Sequence, residues 1–416
     1  MPSSFNQSNF LNAMKHVYKG KVENLVYPHN PAFGMIPKET TFPGRNCTYA
    51  VEYGVTSGRS ATFSTAQANR GGTKIQDFVV TRVKDYAVVS LDNETLLAAD
   101  GNEGSLLDVA KAKTDSALHA LSRSMGRDMY RSGTGSLGKV HASTGPSSAT
   151  ITLVAGTGVN YEVGMRLVAS AADGGSLRPG VVEVTAVNRD GGSSGDTLTV
   201  SPGVASITSL GTDDFLYVEG DAANGGTNLK MAGFDAWLPE TVGSGLHFGV
   251  NRTADATRLG GQRQIFGGSI QQTVTNAAVK TAREGGRPDV IFMNPTNWAT
   301  LALDLEGQAV VGGANNRRRY DPNDRIGTFG FSSLSIATPS GMVDVYADHN
   351  CPIDVGYLLQ LDTWKFKSLG SAPQLLNMDG NSGIRQVNED GVEYRWGYYG
   401  NLLCTAPGFN CRVKLA

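Results

Sequence analysis

Residues 391–416 read GVEYRWGYYGNLLCTAPGFNCRVKLA. Chain ends usually fray, because few contacts tie them down. Here Val392, Tyr394, Trp396 and Tyr398 fall on one face of an extended chain, with Glu393 and Arg395 on the other. After a turn at APGFN, Cys411, Val413 and Leu415 alternate with Arg412 and Lys414. Both segments follow the period-two rule of a half-buried strand. The pattern predicts a closing strand pair built into the body of the protein, with partners distant in sequence.

Composition limits what that body is. The chain has 416 residues, long enough for two or three domains with real cores. Its formal net charge is −2, and charged residues make up 18%, below the roughly 25% of an average soluble domain. The 52 glycines favour tight turns over long helical bundles. No apolar run approaches the ~20 residues that span a bilayer, and the start lacks a signal-type apolar core. A soluble chain made in a cytosol, with no membrane partner, is expected. In such a reducing compartment NQS, NCT, NET and NRT are chance sequons. Cys47, Cys351, Cys404 and Cys411 lack CxxC spacing and a nearby histidine pair, which argues against zinc and against a disulfide framework.

Residues 1–44 carry Pro28, Pro31, Pro37 and Pro43, which interrupt regular elements; they read as an extended arm needing another surface to lie on. RNCTYAVEYG (45–54) and TKIQDFVVTRVKDYAVVSL (73–91) are rich in β-branched and aromatic residues and predict a long hairpin. An isolated ribbon is marginal in water, so something outside it must hold it. Residues 105–132 predict a long helix, with a capping-box start at Ser105 and Asp108, a stop at Gly133, and a stripe of Leu107, Ala110, Leu118, Leu121, Met125 and Met129. Between Lys139 and Lys230 there is no lysine, tryptophan or cysteine. Residues 141–229 hold nine acidic residues against Arg166, Arg178 and Arg189, a net −6 that leaves the rest at +4. Short β-rich runs there, spaced by Gly, Ser and Asp, predict an inserted small barrel or sandwich. Beyond Asn228 the pattern is mixed: helices over 269–288 and from Pro295, a buried strand at DVIFMN, and further strands at 333–350.

The chemical motifs are weak. GTGSLG (133–138) matches GxGxxG but follows a helix instead of a strand, so a glycine-rich helix stop and linker is the better reading. There is no GxSxG, HExxH or GxxxxGK[ST]. DHNCPID gathers Asp348, His349, Cys351 and Asp354, which a polar loop explains better than a catalytic or metal site. NRDGGSSGD (188–196) reads as a hairpin turn, because the acidic spacing and closing Glu of a calcium loop are missing. NNRRRY, with Arg317, Arg318 and Arg319, is a solvated loop or a contact to carboxylate or phosphate. No catalytic, metal or cofactor site is expected.

The order of arm, hairpin, long helix, α/β domain and terminal strands resembles the tailed-phage major capsid protein of the Hong Kong 97-like fold. FVVTRVKDYAVVSLDNETLLAA resembles the returning arm of the capsid E-loop, and LLDVAKAKTDSALHALSRSMGRDMY the spine helix. GFDAWLPE, GVNRTADATRLGG and GGRPDVIFMNPTNWATL resemble A-domain phrases, and VEYRWGYYGNLLCTAPGFN the return to the P-domain. The resemblance implies an α+β chain: arm 1–44, E-loop 45–91, P-domain spine helix 92–137, β-rich insertion 138–225, A-domain 226–385 and P-domain return strands 386–416. It implies a non-enzymatic subunit of an icosahedral head, assembled in the host cytoplasm and resident in the virion. An encapsulin-type compartment shell is the alternative, and an α/β hydrolase-like enzyme a remote one.

The partners implied are other copies of the chain in hexamers and pentamers, a portal, a decoration protein and double-stranded DNA held without sequence preference. Relatives with a fused scaffolding segment carry a longer N-terminal stretch, so a separate scaffolding protein is expected. Phosphate attracts Lys and Arg. Lys111, Lys113, Arg123, Arg127 and Arg131 of the helix are therefore the candidates for the DNA-proximal face, with the acidic insertion outward. Arg59, Arg70, Lys74 and the arginines 317–319 are candidates for contacts between subunits. One branch crosslinks a lysine to an asparagine of an apposed subunit, and Lys74 lies in the corresponding loop.

Overall fold

The computed structural model describes residues 30–42, 44–92, 109–141, 147–223, 226–311, 334–376, 383–386 and 389–416, with backbone alone for 109–112, 193 and 305–311. The arm before Asn30, the capping box at 105–108 and Arg317–Arg319 lie outside the described residues.

Along the chain, helix α1 (Pro31–Met35) and strand β1 (Lys38–Glu39) precede strand β2 (Asn46–Gly54), helix α2 (Phe63–Ala68) and strand β3 (Lys74–Thr81). Strand β4 (Val83–Asp92) and helix α3 (Val109–Asp128) follow. Next come six short strands: β5 (Ser136–Lys139), β6 (Thr150–Thr152), β7 (Arg166–Ser170), β8 (Val182–Asn188), β9 (Thr197–Ser201) and β10 (Phe215–Val218). Helix α4 (Phe234–Trp237), strands β11 (Leu246–His247), β12 (Val250–Asn251) and β13 (Gln262–Gln264), helix α5 (Ile270–Arg283), strand β14 (Val290–Met293) and helix α6 (Pro295–Val311) succeed them. The last third carries β15 (Leu334–Thr338), β16 (Gly341–Ala347), β17 (Val355–Leu359), β18 (Trp364–Ser368), β19 (Gln374–Leu375), β20 (Ile384–Arg385), β21 (Gly391–Cys404) and β22 (Cys411–Lys414).

Two compact units divide the chain: residues 85–124 and 370–398 belong to the first, and 30–84, 125–369 and 399–416 to the second. In the first, the leading part of β21 pairs with β19 (Gln374 opposite Gly397) and β20 (Ile384 opposite Glu393), and also with β4. Lys113 Nζ donates to Ser90 O at 3.4 Å and Ser124 Oγ to Asp85 Oδ2 at 2.8 Å.

In the second unit, β5 to β10 form one antiparallel sheet in the order β5-β10-β7-β8-β9-β6. Its two edges meet: Val140 bridges Leu153, His141 N donates to Thr152 O at 2.8 Å, and Val154 N to Lys139 O at 3.1 Å. The result is a closed barrel, which removes the unpaired edges of an open sheet. Its interior holds Leu137, Val140, Ile151, Leu153, Leu167, Val184, Leu198 and Leu216 in one buried cluster. The GTGSLG stretch is the turn that leads into it, with φ of +88° at Gly133 and +90° at Gly135. The NRDGGSSGD stretch connects β8 to β9.

A mixed six-stranded sheet, β13-β22-β17-β14-β16-β15, packs on helix α5 and buries Val274, Ala277, Ile291, Val345, Leu358, Cys411 and Val413. Ser269 caps α5, its side chain accepting from Gln272 N. Between this sheet and β18 lies an aromatic cluster around Phe234, whose ring centroid is 5.0 Å from Trp364, 5.3 Å from Tyr130 and 5.5 Å from Tyr357.

Two expectations change here. The terminal segments do not form a strand pair: the C-terminal part of β21 pairs with β18, whereas β22 runs between β13 and β17 in the mixed sheet. Cys411, Val413 and Leu415 alternate because they enter the core built from residues 270–358. Helix α3 also ends at Asp128 instead of Ser132. Met129 N still bonds Met125 O, but Tyr130 N and Arg131 N close tighter turns onto Arg127 O and Asp128 O. The backbone of Gly233 and Phe234 then caps the end, donating to Arg131 O and Met129 O at 3.0 and 2.7 Å.

Candidate assembly surface

Strands β2 and β3 form a two-stranded ribbon, in register from Asn46 opposite Thr81 to Glu52 opposite Ile75, with a bulge before Gly54 pairs Lys74. Eight or so residues at ~3.3 Å each make a ribbon of roughly 26 Å before the tip. Side chains alternate between half-buried and exposed on β2, and only Phe78 and Val80 of β3 are fully buried. A ribbon of this kind has too little packing of its own to be stable alone.

Its root is well held. Phe78 lies 5.8 Å from Tyr49 and 5.3 Å from Trp237 between ring centroids. Tyr49 Oη donates to Cys404 O, and burial pushes the phenol's pKa far up, so it remains a donor. Val79 N donates to Phe248 O at 2.9 Å. Farther out, Arg258 Nη1 donates to Tyr53 O at 2.8 Å while its Nε holds Glu284 at 2.8 Å.

The tip, residues 55–73, is exposed but ordered by its own bonds. Arg59 N donates to Ser57 O at 2.9 Å, Thr62 Oγ1 to Thr65 Oγ1 at 2.8 Å, and α2 crosses the end. A Cβ on Gly58 would sit 3.1 Å from Arg70 Cα, so the two sides of the tip touch and bring Arg59 and Arg70 together. Arg59, Arg70 and Lys74 are all exposed, and no acidic residue lies between Glu52 and Asp77. Phe63 is 81% exposed and Val55 79%. These two apolar residues were missed by periodicity, because neither belongs to a regular strand; their signal was an aromatic and a β-branched residue within a polar, glycine-flanked loop.

The helix candidates do not share one surface. Arg127 is buried, with Nη1 donating to Asn160 O at 3.3 Å and Nε 3.7 Å from Asp128. Arg131 donates to Leu137 O at 3.0 Å, and burial followed by the neighbouring Arg127 charge lowers its pKa. Both arginines hold the helix end to the barrel; Arg127 is buried there, whereas Arg131 is half-buried. Lys113 is partly buried, with its pKa lowered by burial and raised in part by Asp92, and Arg123 is partly exposed. Of Lys111 only the backbone is described.

The DHNCPID loop is structural. Asp348 is buried and accepts from Tyr130 Oη at 2.8 Å and from Asn350 N at 2.9 Å. Among the described residues no cluster of His, Cys, Asp or Glu could hold a metal ion.

The ribbon is thus long and cationic, and it exposes an aromatic residue at its tip. Residues 213–385 match the family model of the SU10 major capsid protein. The capsid asymmetric unit of cyanophage A-1(L) is similar in fold, with a TM-score of 0.55 at 12% identity over 96% of each chain. The match over residues 213–385 and the shared fold support a tailed-phage major capsid protein. The structure of Mycobacterium phage Ogopogo aligns over 100% of both chains at 10% identity with a TM-score of 0.47. The holo-SrpI encapsulin complex of Synechococcus elongatus is a weaker neighbour, at 6% identity and 0.44 over 98% of this chain and 95% of that one. No curated protein matches in sequence. These findings support a structural subunit of an icosahedral shell and are consistent with a non-enzymatic role.

Proposed function

We propose that the capsid protein has the Hong Kong 97-like arrangement, with the β2–β3 ribbon as an intersubunit clamp and residues 138–225 as an inserted domain. The observation that carries the clamp is the ribbon itself: a buried aromatic root, exposed flanks, and Phe63 and Val55 standing in solvent at the tip. In a shell these apolar groups and the cations Arg59, Arg70 and Lys74 meet a neighbouring copy. Covering a side chain such as Phe63 is worth about 1.5–3 kcal/mol, and a shell repeats that gain at every subunit. The shell encloses double-stranded DNA, whose phosphates favour a basic inner wall. Lys111, Lys113 and Arg123 remain candidates for that wall, whereas Arg127 and Arg131 are engaged inside the subunit. A separate scaffolding protein, a portal and a decoration protein complete the set of partners, and assembly takes place in the host cytoplasm.

Replacing residues 55–73 by a two-residue turn tests the clamp. A soluble subunit with unchanged far-UV circular dichroism that no longer forms closed shells in electron micrographs is expected. Normal shells from this variant would overturn the assignment.

A further inference from the structure

The root of the ribbon contains a device that the assembly role does not by itself require. Strands β11 and β12 form a minimal hairpin, Leu246 opposite Asn251 and His247 opposite Val250, joined by the two residues Phe248 and Gly249. Both have positive φ, +48° and +87°, as a type I′ turn demands. Asn and Gly suit that turn, whereas a bulky aromatic residue in the left-handed region is strained. The strained residue is the one that grips the ribbon: Phe248 O accepts from Val79 N at 2.9 Å.

Beside it the His247 ring sits among aromatic rings, 4.8 Å from Trp237 in a T-shaped contact, 4.5 Å from Phe248 and 6.3 Å from Phe78. Its Nε2 is buried with no hydrogen-bond partner among the described residues. Among the described residues, the groups around it supply no anion. Strand β3 contributes Phe78, β2 contributes Tyr49 behind it, and α4 contributes Trp237. Asp235, next in the chain to Ala236, is engaged with Arg412. Among the described residues, the charge that faces the imidazole is Arg252, a cation held by Ala236 O at 2.7 Å and Trp237 O at 3.3 Å.

We infer that the 246–251 hairpin is an acid-sensitive latch, in which protonation of His247 releases Phe248 from Val79 and frees the ribbon at its root. His247 as a whole is half-buried, but at its Nε2 an imidazolium would place a charge among aromatic rings, beside a guanidinium, with an N–H that finds no acceptor. Burial first, and then Arg252, hold the imidazole's pKa well below its ordinary 6.5. For a base depressed in this way, the closed state has its full advantage above the ordinary value and loses it as pH falls toward the depressed one. The latch is therefore strongest at neutral pH and weakens in mild acid. Its consequence for shells rests on the ribbon being the clamp; its existence does not.

The test is hydrogen exchange on the soluble, unassembled subunit, so that it stays separate from the question of clamping. Protection of the Val79 amide, corrected for intrinsic exchange, should fall about tenfold between pH 7.5 and pH 5.5. Amides of the α5 helix serve as the control and should hold. A pH-independent Val79 protection in the wild-type protein overturns the latch without recourse to any variant. His247→Phe and His247→Leu should each flatten the profile; if either folded variant keeps the tenfold fall, another group is responsible and the assignment to His247 is wrong.

Discussion

At the scale of single residues, the thiols show how position sets chemistry. Cys351, Cys404 and Cys411 are buried, while Cys47 is partly exposed on β2. Burial raises the first three thiols; Cys411 is pushed up to about 12, with Lys280 and Arg263 lowering it only in part. The thiolate is the reactive form, so at pH 8 these three are both protonated and inaccessible. A thiol titration of the folded subunit should count one reactive cysteine, Cys47, and four after denaturation. Rapid reaction of two or more in the native protein would contradict the packing of β22, the end of β21 or the loop that carries Cys351. None of this was legible from spacing. The missing CxxC pattern argued only against metal, and burial depends on which sheet a segment joins.

Among the elements, β22 was the one most readily misassigned. Alternation at Cys411, Val413 and Leu415 correctly predicts a strand with one apolar face, but a period of two does not name the neighbour. In the molecule β22 lies between a parallel and an antiparallel partner, Gln262–Gln264 and Val355–Leu359. A chain truncated after Asn410 therefore loses three buried side chains, at about 1.5–3 kcal/mol each, and the backbone partner of two strands. Since whole domains are stable by only ~5–15 kcal/mol, the truncated protein should fail to accumulate in soluble form, or unfold at much lower urea. Were the tail a closure confined to the β21 sheet, the mixed sheet would survive the truncation. The helix α3 teaches a related lesson. Leu121, Met125 and Met129 of the predicted stripe are buried, with Ala117 buried beside them and Leu118 only half-buried, yet the helix stops short because the Gly233 backbone occupies the space beyond. A Cβ on Gly233 would meet Asp128 O and Met129 O at 2.3 Å.

For the whole molecule, charge segregation suggests an orientation in the shell. Residues 141–229 carry net −6 and the remainder +4. Packed DNA repels acidic surface and attracts basic surface, so the barrel is expected on the outside of particles. Protease added to intact shells should cut at the 189–195 connection between β8 and β9, which is largely exposed in the subunit. Full protection there, with the same site cut in free subunits, would place the barrel inside and remove the charge argument.

The amino-acid sequence by itself determined much about this capsid protein: that a hairpin, a long amphipathic helix, a β-rich segment and a mixed α/β segment follow one another, and that no catalytic motif interrupts them. Those features are local. They depend on periodicities of 2 and 3.6, on turn residues and on composition, each confined to neighbouring residues. The tertiary structure decided which sheet β22 enters, that the β-rich segment closes into a barrel through Val140 and Leu153, that Arg127 is buried and Arg131 is bonded to Leu137 O, and that His247 sits among aromatic rings at the ribbon's root. Each of these is a contact between segments far apart in the chain. Such contacts are chosen by competition for buried area and hydrogen-bond partners across the whole fold, and no window of sequence contains both sides of that competition.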